Sequence, residues 1–461
     1  MILAEPKIST LANFEGFFIM NDKDLADRSD ALGYLASAER EASDLPELAD
    51  VAPRDVRRIG VIGAGTMGAG IAVAFLDGGY AVTVLEMNEA ALSAGRERIA
   101  GLYGRYLRSG RIDEATRGER LSRLSTTTDL VNLASCDLVI EAVFEDMAVK
   151  LDLLGRLTTA LPLDKIIATN TSYLDIEAMA DAVPNPSRFI GLHFFSPANV
   201  MKLLEIVRGR RTSAEALATA FAIGSKLKKI AVVSGVCDGF IGNRILARFR
   251  AQCEFMLEEG ALPWQVDEAM QSFGMAMGPF AVQDLAGLDI AWARRKRLAA
   301  SGQLAGRDVP LVDRLCEAGR LGQKASLGWY SYKNGRREID PEIERIVREH
   351  AVSTGRPQRS FYSSDIQDRI VTAMINEGAK ILAEGIAARP SDIDLVLVNG
   401  YGFPASRGGP MHYADSIGLS RVRAIAQESA SRDGLGFEVA PLLIQLETER
   451  RSFSSLNTET H

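Results

Sequence analysis

Ile59-Gly60-Val61-Ile62-Gly63-Ala64-Gly65-Thr66-Met67-Gly68-Ala69-Gly70-Ile71-Ala72-Val73 is the stretch whose reading decides the fold. An apolar run ending at Ile62 reads as a buried strand, and Ala69-Gly70-Ile71-Ala72-Val73-Ala74-Phe75-Leu76 reads as a helix. Between them the glycines fall at G-x-G-x-x-G spacing. That spacing alone is weak, because loops produce it often. It becomes specific when a strand precedes it, a helix follows it and the next strand ends in an acid. Here the next strand is AVTVLE, ending at Glu86, eighteen residues beyond Gly68 (68 to 86). Gly63 turns the chain, Gly65 lets backbone approach a pyrophosphate, and Gly68 allows close helix–strand packing. Ala64, Thr66 and Met67 complete the loop, and the amides at the helix start hold the anionic phosphates. Glu86 can accept from both ribose hydroxyls, and its charge repels a 2′-phosphate. The cofactor read from this loop is therefore NAD.

Working outward, apolar runs alternate with helical stretches from Arg57 to about Gly235. The runs are RRIGVIG, AVTVLE, DLVIEAV, KIIATN, RFIGLHF, LLEIV and KIAVVS. Strands this apolar belong to a mostly parallel sheet covered by helices, so residues 57–235 read as an α/β Rossmann-type NAD-binding domain. Residues 1–56 are a polar, acidic lead-in with one helical stretch around Ala31–Ala42. After Asp238 the β character disappears and helical periodicity takes over. That half carries an internal repeat: Ile241-Gly242-Asn243-Arg244-Ile245 and Leu257-Glu258-Glu259-Gly260 align with Ile366-Gln367-Asp368-Arg369-Ile370 and Leu382-Ala383-Glu384-Gly385. Each copy continues to an acid (Asp267, Asp394), a Gly-Pro turn (Gly278-Pro279, Gly409-Pro410) and a Gly-Leu pair (Gly287-Leu288, Gly418-Leu419). Two tandem all-α domains are expected, over 236–335 and 336–451, with 452–461 a disordered tail.

Composition narrows the function class. The chain has 461 residues, 47% hydrophobic and 25% charged, with a net charge of −7. That balance argues against a nucleic-acid partner, which wants clustered Lys and Arg. No apolar run is long enough to span a bilayer, and the sequence opens without a secretory signal pattern. The end, SSLNTETH, carries no receptor-read address, leaving the cytoplasm as default compartment. Cys136, Cys237, Cys253 and Cys316 lack metal-ligand or C-x-x-C spacing and read as reduced structural thiols, so no metal is expected.

Only four histidines are available to any imidazole chemistry: His193, His350, His412 and His461. Alcohol–ketone interconversion on NAD needs a base beside the hydroxyl. His193, in Ile190-Gly191-Leu192-His193-Phe194-Phe195, is the one histidine in the strand-rich half, near the end of an apolar strand where ligand crevices lie. A core histidine satisfied by backbone is the plain alternative. Glu205, in Leu203-Leu204-Glu205-Ile206-Val207, weighs against it, because a charge inside such a strand is costly unless paired. A strand–turn–strand across Ser196–Met201 can bring the two together as base and orienter. Ser172 follows the strand Ile166–Ala168, in the crevice position or as a helix N-cap. Asn243 stands at the entry to the helical half, as a substrate contact or as a turn residue.

Four stretches read together, NTSYLDI, IGLHFFSPANVMKLLEIV, GVCDGFIGNRIL and GQKASLGWYSYK, resemble the 3-hydroxyacyl-CoA dehydrogenases over about residues 57–450. The likeness is nearest to the dehydrogenase half of multifunctional β-oxidation enzymes, whose tandem C-terminal domains match the repeat down to NGYGFPASRGGPM. Residues 31–56 are similar to the connecting helix that follows the hydratase domain of such enzymes. The resemblance implies a chain that dehydrogenates and does not hydrate. By the same resemblance His193 is the general base and Glu205 its partner, while Ser172 and Asn243 hydrogen-bond the substrate oxygen. Glu145 and Lys150, in VFEDMAVK, match residues at the nicotinamide ribose, and Lys324 matches a lysine near the cofactor. Ser196 departs from the Asn that usually follows HFF in stand-alone members. Arg105, Arg108 and Arg111 are candidates to face CoA or simply form a solvated basic face.

The expected reaction is oxidation of (S)-3-hydroxyacyl-CoA to 3-oxoacyl-CoA with NAD⁺ in fatty acid β-oxidation. The alternatives are a short-chain 3-hydroxybutyryl-CoA dehydrogenase and a non-catalytic assembly partner of a hydratase or thiolase. Because a second helical copy can cover the face through which single-copy relatives pair, a monomer is expected.

Overall fold

The computed structural model describes residues 22–300, 302 and 307–458. Residues 1–21 of the expected lead-in and 459–461 of the expected tail lie outside the described residues. A first helix, α1 (Asp22–Glu41), leads to a sheet of eight strands. They are β1 (Arg58–Ile62), β2 (Ala81–Leu85), β3 (Leu124–Thr127), β4 (Leu138–Glu141), β5 (Ile166–Thr169), β6 (Phe189–Phe194), β7 (Leu203–Val207) and β8 (Ile230–Ser234). Their order is β3-β2-β1-β4-β5-β6-β7-β8, and every neighbouring pair is parallel except β6–β7. The order reverses between β1 and β4, opening a crevice at their carboxyl ends.

The apolar runs all form strands, and β4, β5, β6 and β7 are buried along their whole length. The eighth strand, β3, escapes a reading by apolar runs because its sequence is LSTT. It lies at the sheet edge with no fully buried side chain, where polar residues discourage pairing with another chain. Helix α2 (Thr66–Asp77) follows β1, buried from Gly68 to Leu76 between the sheet and the rest of the molecule.

The helical half repeats its element order. The first copy holds α3 (Gly242–Glu258), α4 (Pro263–Phe273) and α5 (Pro279–Ala286); the second holds α6 (Ser363–Ala383), α7 (Pro390–Tyr401) and α8 (Pro410–Ile417). α4, α5, α7 and α8 each begin with proline, whose missing N–H is an orphan at that position anyway. The repeated acid has one job in both copies. Asp267 accepts from the Phe280 and Ala281 amides at 2.8 and 3.0 Å, and Asp394 from those of Met411 and His412 at 2.7 and 3.0 Å. Each acid thus caps the following short helix. A Cβ on Gly278 or Gly409 would sit 2.2 or 2.3 Å from that acid's side chain, which is why glycine precedes both prolines. Burial raises both carboxyl pKa values, and each acid takes one tyrosine hydroxyl as a further donor. Tyr330 supplies it to Asp267 at 2.7 Å; Tyr34, on α1, supplies it to Asp394 at 2.8 Å.

Three expectations change. The helical half contains a short antiparallel pair, Ser331–Lys333 with Arg336–Glu338, so β structure does not end at Asp238. The expected boundary between residues 335 and 336 falls in the turn of that hairpin. The helix after it, Pro341–Ser353, still packs on the first copy, with His350 Nε2 3.1 Å from Glu258. The tail is also ordered through Thr458: Phe453 is fully buried, and Asp415 accepts from the Phe453 and Ser454 amides.

Candidate active site

The glycine loop sits at the β1–β4 reversal. Gly63 has φ of 89°, and a Cβ there would stand 2.9 Å from the Ala142 carbonyl oxygen. Gly68 tolerates no side chain, since its Cβ would lie 1.8 Å from Gly63 O. Gly65, by contrast, faces open space. Ala64 is buried, Thr66 exposed and Met67 half-buried, so one side of the loop is open. Glu86, just past β2, accepts the Ala64 amide at 2.6 Å and its neighbour Met87's amide at 3.1 Å. Free amides at a helix start, beside a fixed carboxylate, form a donor and acceptor set that fits a dinucleotide.

The next constellation follows from register. β6 and β7 are antiparallel, and their pairing puts His193 opposite Glu205. His193 Nδ1 lies 2.7 Å from Glu205 Oε2, and His193 Nε2 lies 3.2 Å from Ser172 Oγ. Glu205 is wholly buried, and its Oε1 accepts the Gly242 amide at 3.0 Å. The imidazole is walled by Phe195 and Phe240, with centroids at 4.5 and 5.7 Å. Phe240 holds a left-handed backbone (φ 53°) after Gly239 (φ 81°), a bend that delivers the start of α3 to Glu205. Ser172 caps no helix: the following helix begins at Ile176, and Asp175 caps it. Asn170 instead pins the loop, its Oδ1 accepting the Phe194 amide at 2.8 Å.

Asn243 lies in the first turn of α3, joined to this line through Gly242, and its Oδ1 accepts the Tyr401 hydroxyl at 3.0 Å. Its counterpart in the second copy, Asp368, holds Arg421 in an ion pair instead.

Glu145 is placed beside this group. Its Oε1 accepts from Thr171 Oγ1 at 2.6 Å and from the Ser172 and Tyr173 amides at 2.8 and 3.1 Å. Lys150 is buried, its Nζ 2.8 Å from both Glu141 oxygens and 3.4 Å from Glu145 Oε2. Thr169 also donates to Glu141. Lys324 stands apart, half-exposed and ion-paired with Asp289 at 2.6 Å. Arg111 packs over the Tyr106 ring. Sequence reading missed Glu141 and Tyr401. For Glu141 a signal existed, an acid closing the buried run DLVIE. For Tyr401 none did, because it reaches Asn243 from 158 residues away.

Residues 58–237 match the family described as 3-hydroxyacyl-CoA dehydrogenase, NAD binding domain. Residues 239–332 and 366–451 match 3-hydroxyacyl-CoA dehydrogenase, C-terminal domain. The peroxisomal bifunctional enzyme of Danio rerio is 40% identical over 442 residues, covering 91% of this chain and 61% of that protein. Its Homo sapiens counterpart is 37% identical over 411 residues, covering 85% and 57%. The chain therefore spans less than two thirds of the length of these relatives. Two solved structures are similar along nearly their whole length. The 3-hydroxybutyryl-CoA dehydrogenase of Escherichia coli K12 has TM-score 0.75 at 27% identity, covering 86% of this chain and 99% of that one. The dehydrogenase part of multifunctional enzyme 1 from C. elegans has TM-score 0.66 at 28% identity, covering 91% and 99%. The chain belongs to the 3-hydroxyacyl-CoA dehydrogenase family, an NAD-binding domain followed by two copies of the family's helical unit.

Proposed function

We propose that this chain oxidises (S)-3-hydroxyacyl-CoA to 3-oxoacyl-CoA with NAD⁺, in fatty acid β-oxidation. The observation that carries the reading is the hydrogen-bonded line Ser172 Oγ, His193, Glu205 at the mouth of the sheet. Glu205 accepts the hydrogen bond of the Nδ1–H, which fixes the tautomer and leaves Nε2 as the acceptor for the proton of the substrate's 3-hydroxyl. Ser172 Oγ, already beside Nε2, and the Asn243 amide hold the substrate oxygen. Phe195 and Phe240 shield the imidazole from water. Bound NAD⁺ supplies the acceptor for the hydrogen and electron pair leaving the carbinol carbon. Gly63, Ala64, Gly65, Thr66, Met67 and Gly68 cradle its pyrophosphate, and Glu86 takes its adenosine ribose. Glu145 is assigned to its nicotinamide end, with buried Lys150 holding Glu141 and Glu145 in place behind it. Glu145 also holds the Ser172 loop in place.

The test is His193→Ala with NADH formation and NADH binding measured together. Turnover is expected to fall about 10²–10⁴-fold with cofactor binding retained. Near-normal turnover with NADH still bound overturns the role of His193.

A second reading, a short-chain 3-hydroxybutyryl-CoA dehydrogenase, is favoured by the likeness to the E. coli enzyme of that name. Rates across a series of acyl-CoA lengths decide between them: a sharp maximum at four carbons supports the second reading, a rate sustained to long chains the first.

A further inference from the structure

Tyr401 enters the candidate active site from the second helical copy. It is the last residue of α7, ahead of Gly402, which ends the helix in the left-handed conformation at φ 73°. The first copy's α4, one residue shorter, ends instead on Phe273 before left-handed Gly274. Phe273 seals the contact between copies, its ring 5.5 Å from Phe403 and 5.3 Å from Tyr413. Tyr401 turns the other way, into the sheet domain. Its ring is 5.5 Å from Phe195, which in turn packs on His193. Gly242 makes room for it, since a Cβ there would lie 2.2 Å from the ring. Gly400 makes room one residue earlier, where a Cβ would meet Leu203 at 2.6 Å.

A phenylalanine would fill this space as well as Phe273 fills its own. The added atom is the hydroxyl, and it donates to Asn243 Oδ1 at 3.0 Å. Burial, with Glu205 nearby, raises the phenol pKa well above its ordinary value, so the hydroxyl keeps its proton. The two ends of an asparagine amide have nearly the same shape and opposite hydrogen-bonding character. With Oδ1 held, Nδ2 is the free end, and among the described residues it makes no hydrogen bond to protein. The amide turned over would aim an oxygen at the substrate oxygen and repel it.

We infer that Tyr401 is a positioning residue that fixes the Asn243 amide with its N–H groups toward the substrate oxygen. The inference rests on Asn243 being the substrate's hydrogen-bond donor, as proposed above. That bond strengthens as the oxygen gains negative charge in the transition state, so its loss falls on kcat. The second helical copy thereby takes part in catalysis through one hydroxyl.

The experiment is a cycle of Tyr401→Phe, Asn243→Ala and the double variant, with kcat, KM for an acyl-CoA, NADH affinity and thermal midpoint measured for each. Tyr401→Phe keeps the ring, so it is expected to fold with an unchanged NADH affinity. Its kcat should fall about tenfold with KM within about twofold of the parent. In the Asn243→Ala background it should change kcat by less than about twofold. A full parental kcat in Tyr401→Phe, or a loss that persists undiminished without Asn243, overturns the positioning role. If Asn243→Ala alone keeps parental kcat, it is the assignment of Asn243 that fails, and the role of Tyr401 falls with it.

Discussion

Glu205 lies on β7 and Lys229 just ahead of β8, and the two charges differ in how openly the sequence declares them. A carboxylate in LLEIV stands out because nothing apolar around it can pair it, and His193 is the available partner. Lys229 opens KIAVVS and reads as an ordinary strand-end lysine. In the fold its Nζ donates to the Ala198 and Met201 carbonyls at 2.8 and 2.7 Å, tying down the turn that brings Glu205 under His193. Burial pushes its pKa down from 10.5 to about 8. Between those values the folded chain binds fewer protons at this group than the unfolded chain, so its linkage term makes stability rise with pH over that window. Denaturant titrations at several pH values are expected to show that rise in the parent, and Lys229→Met to flatten it; an unchanged slope in the variant counts against the assignment. The pairing of His193 with Glu205 is thus legible from the sequence, while the clamp that aligns it is not. Local patterning announces a buried charge but not a long-range backbone acceptor.

At the scale of elements, the strand–loop–helix unit at Gly63–Gly68 is the most legible part of the molecule, because Gly63 and Gly68 each answer to a backbone contact while Gly65 faces the open side of the loop. Gly68→Ala puts a Cβ against backbone oxygen, which no rotamer change relieves. The variant is expected to lose measurable NADH binding, and overpacking should cost about 1–3 kcal/mol in denaturant unfolding. Parental NADH affinity would contradict the packing role given to this glycine. The helical repeat is legible through its acids, glycines and prolines, which recur because both copies cap a helix the same way. What the pattern cannot show is the tyrosine each acid takes. Tyr330 stands just ahead of the first copy's own hairpin, whereas Tyr34 comes from α1, outside either copy. Removing the α1 hydroxyl with Tyr34→Phe leaves buried Asp394 one donor short. It is expected to lower unfolding free energy by about 1–3 kcal/mol; no measurable change would mean that another donor takes its place.

At the scale of the whole molecule, the long helices α3 and α6 pack on each other, and buried ionic contacts bind the copies into one body. Arg369 reaches Glu259 at 2.6 Å and Asp433 at 3.2 Å, and Arg307 reaches both of those acids and Glu258. Replacing one such partner alone strands a buried charge, which is why these residues form a closed group. With the two copies covering each other, a monomer is expected in sedimentation across a wide concentration range; a dimer that persists on dilution overturns it. The hydroxyl of Tyr34 and its acceptor are 360 residues apart in sequence. During synthesis at about 5–20 residues per second, α1 therefore leaves the ribosome roughly 20–70 s before its seat exists. Through that interval Ala31, Leu35 and Ala38, which end up buried, have no native surface to cover them. Helix α1 is thus docked long after it is made, and a nascent chain halted before α7 presents that face to chaperones and proteases.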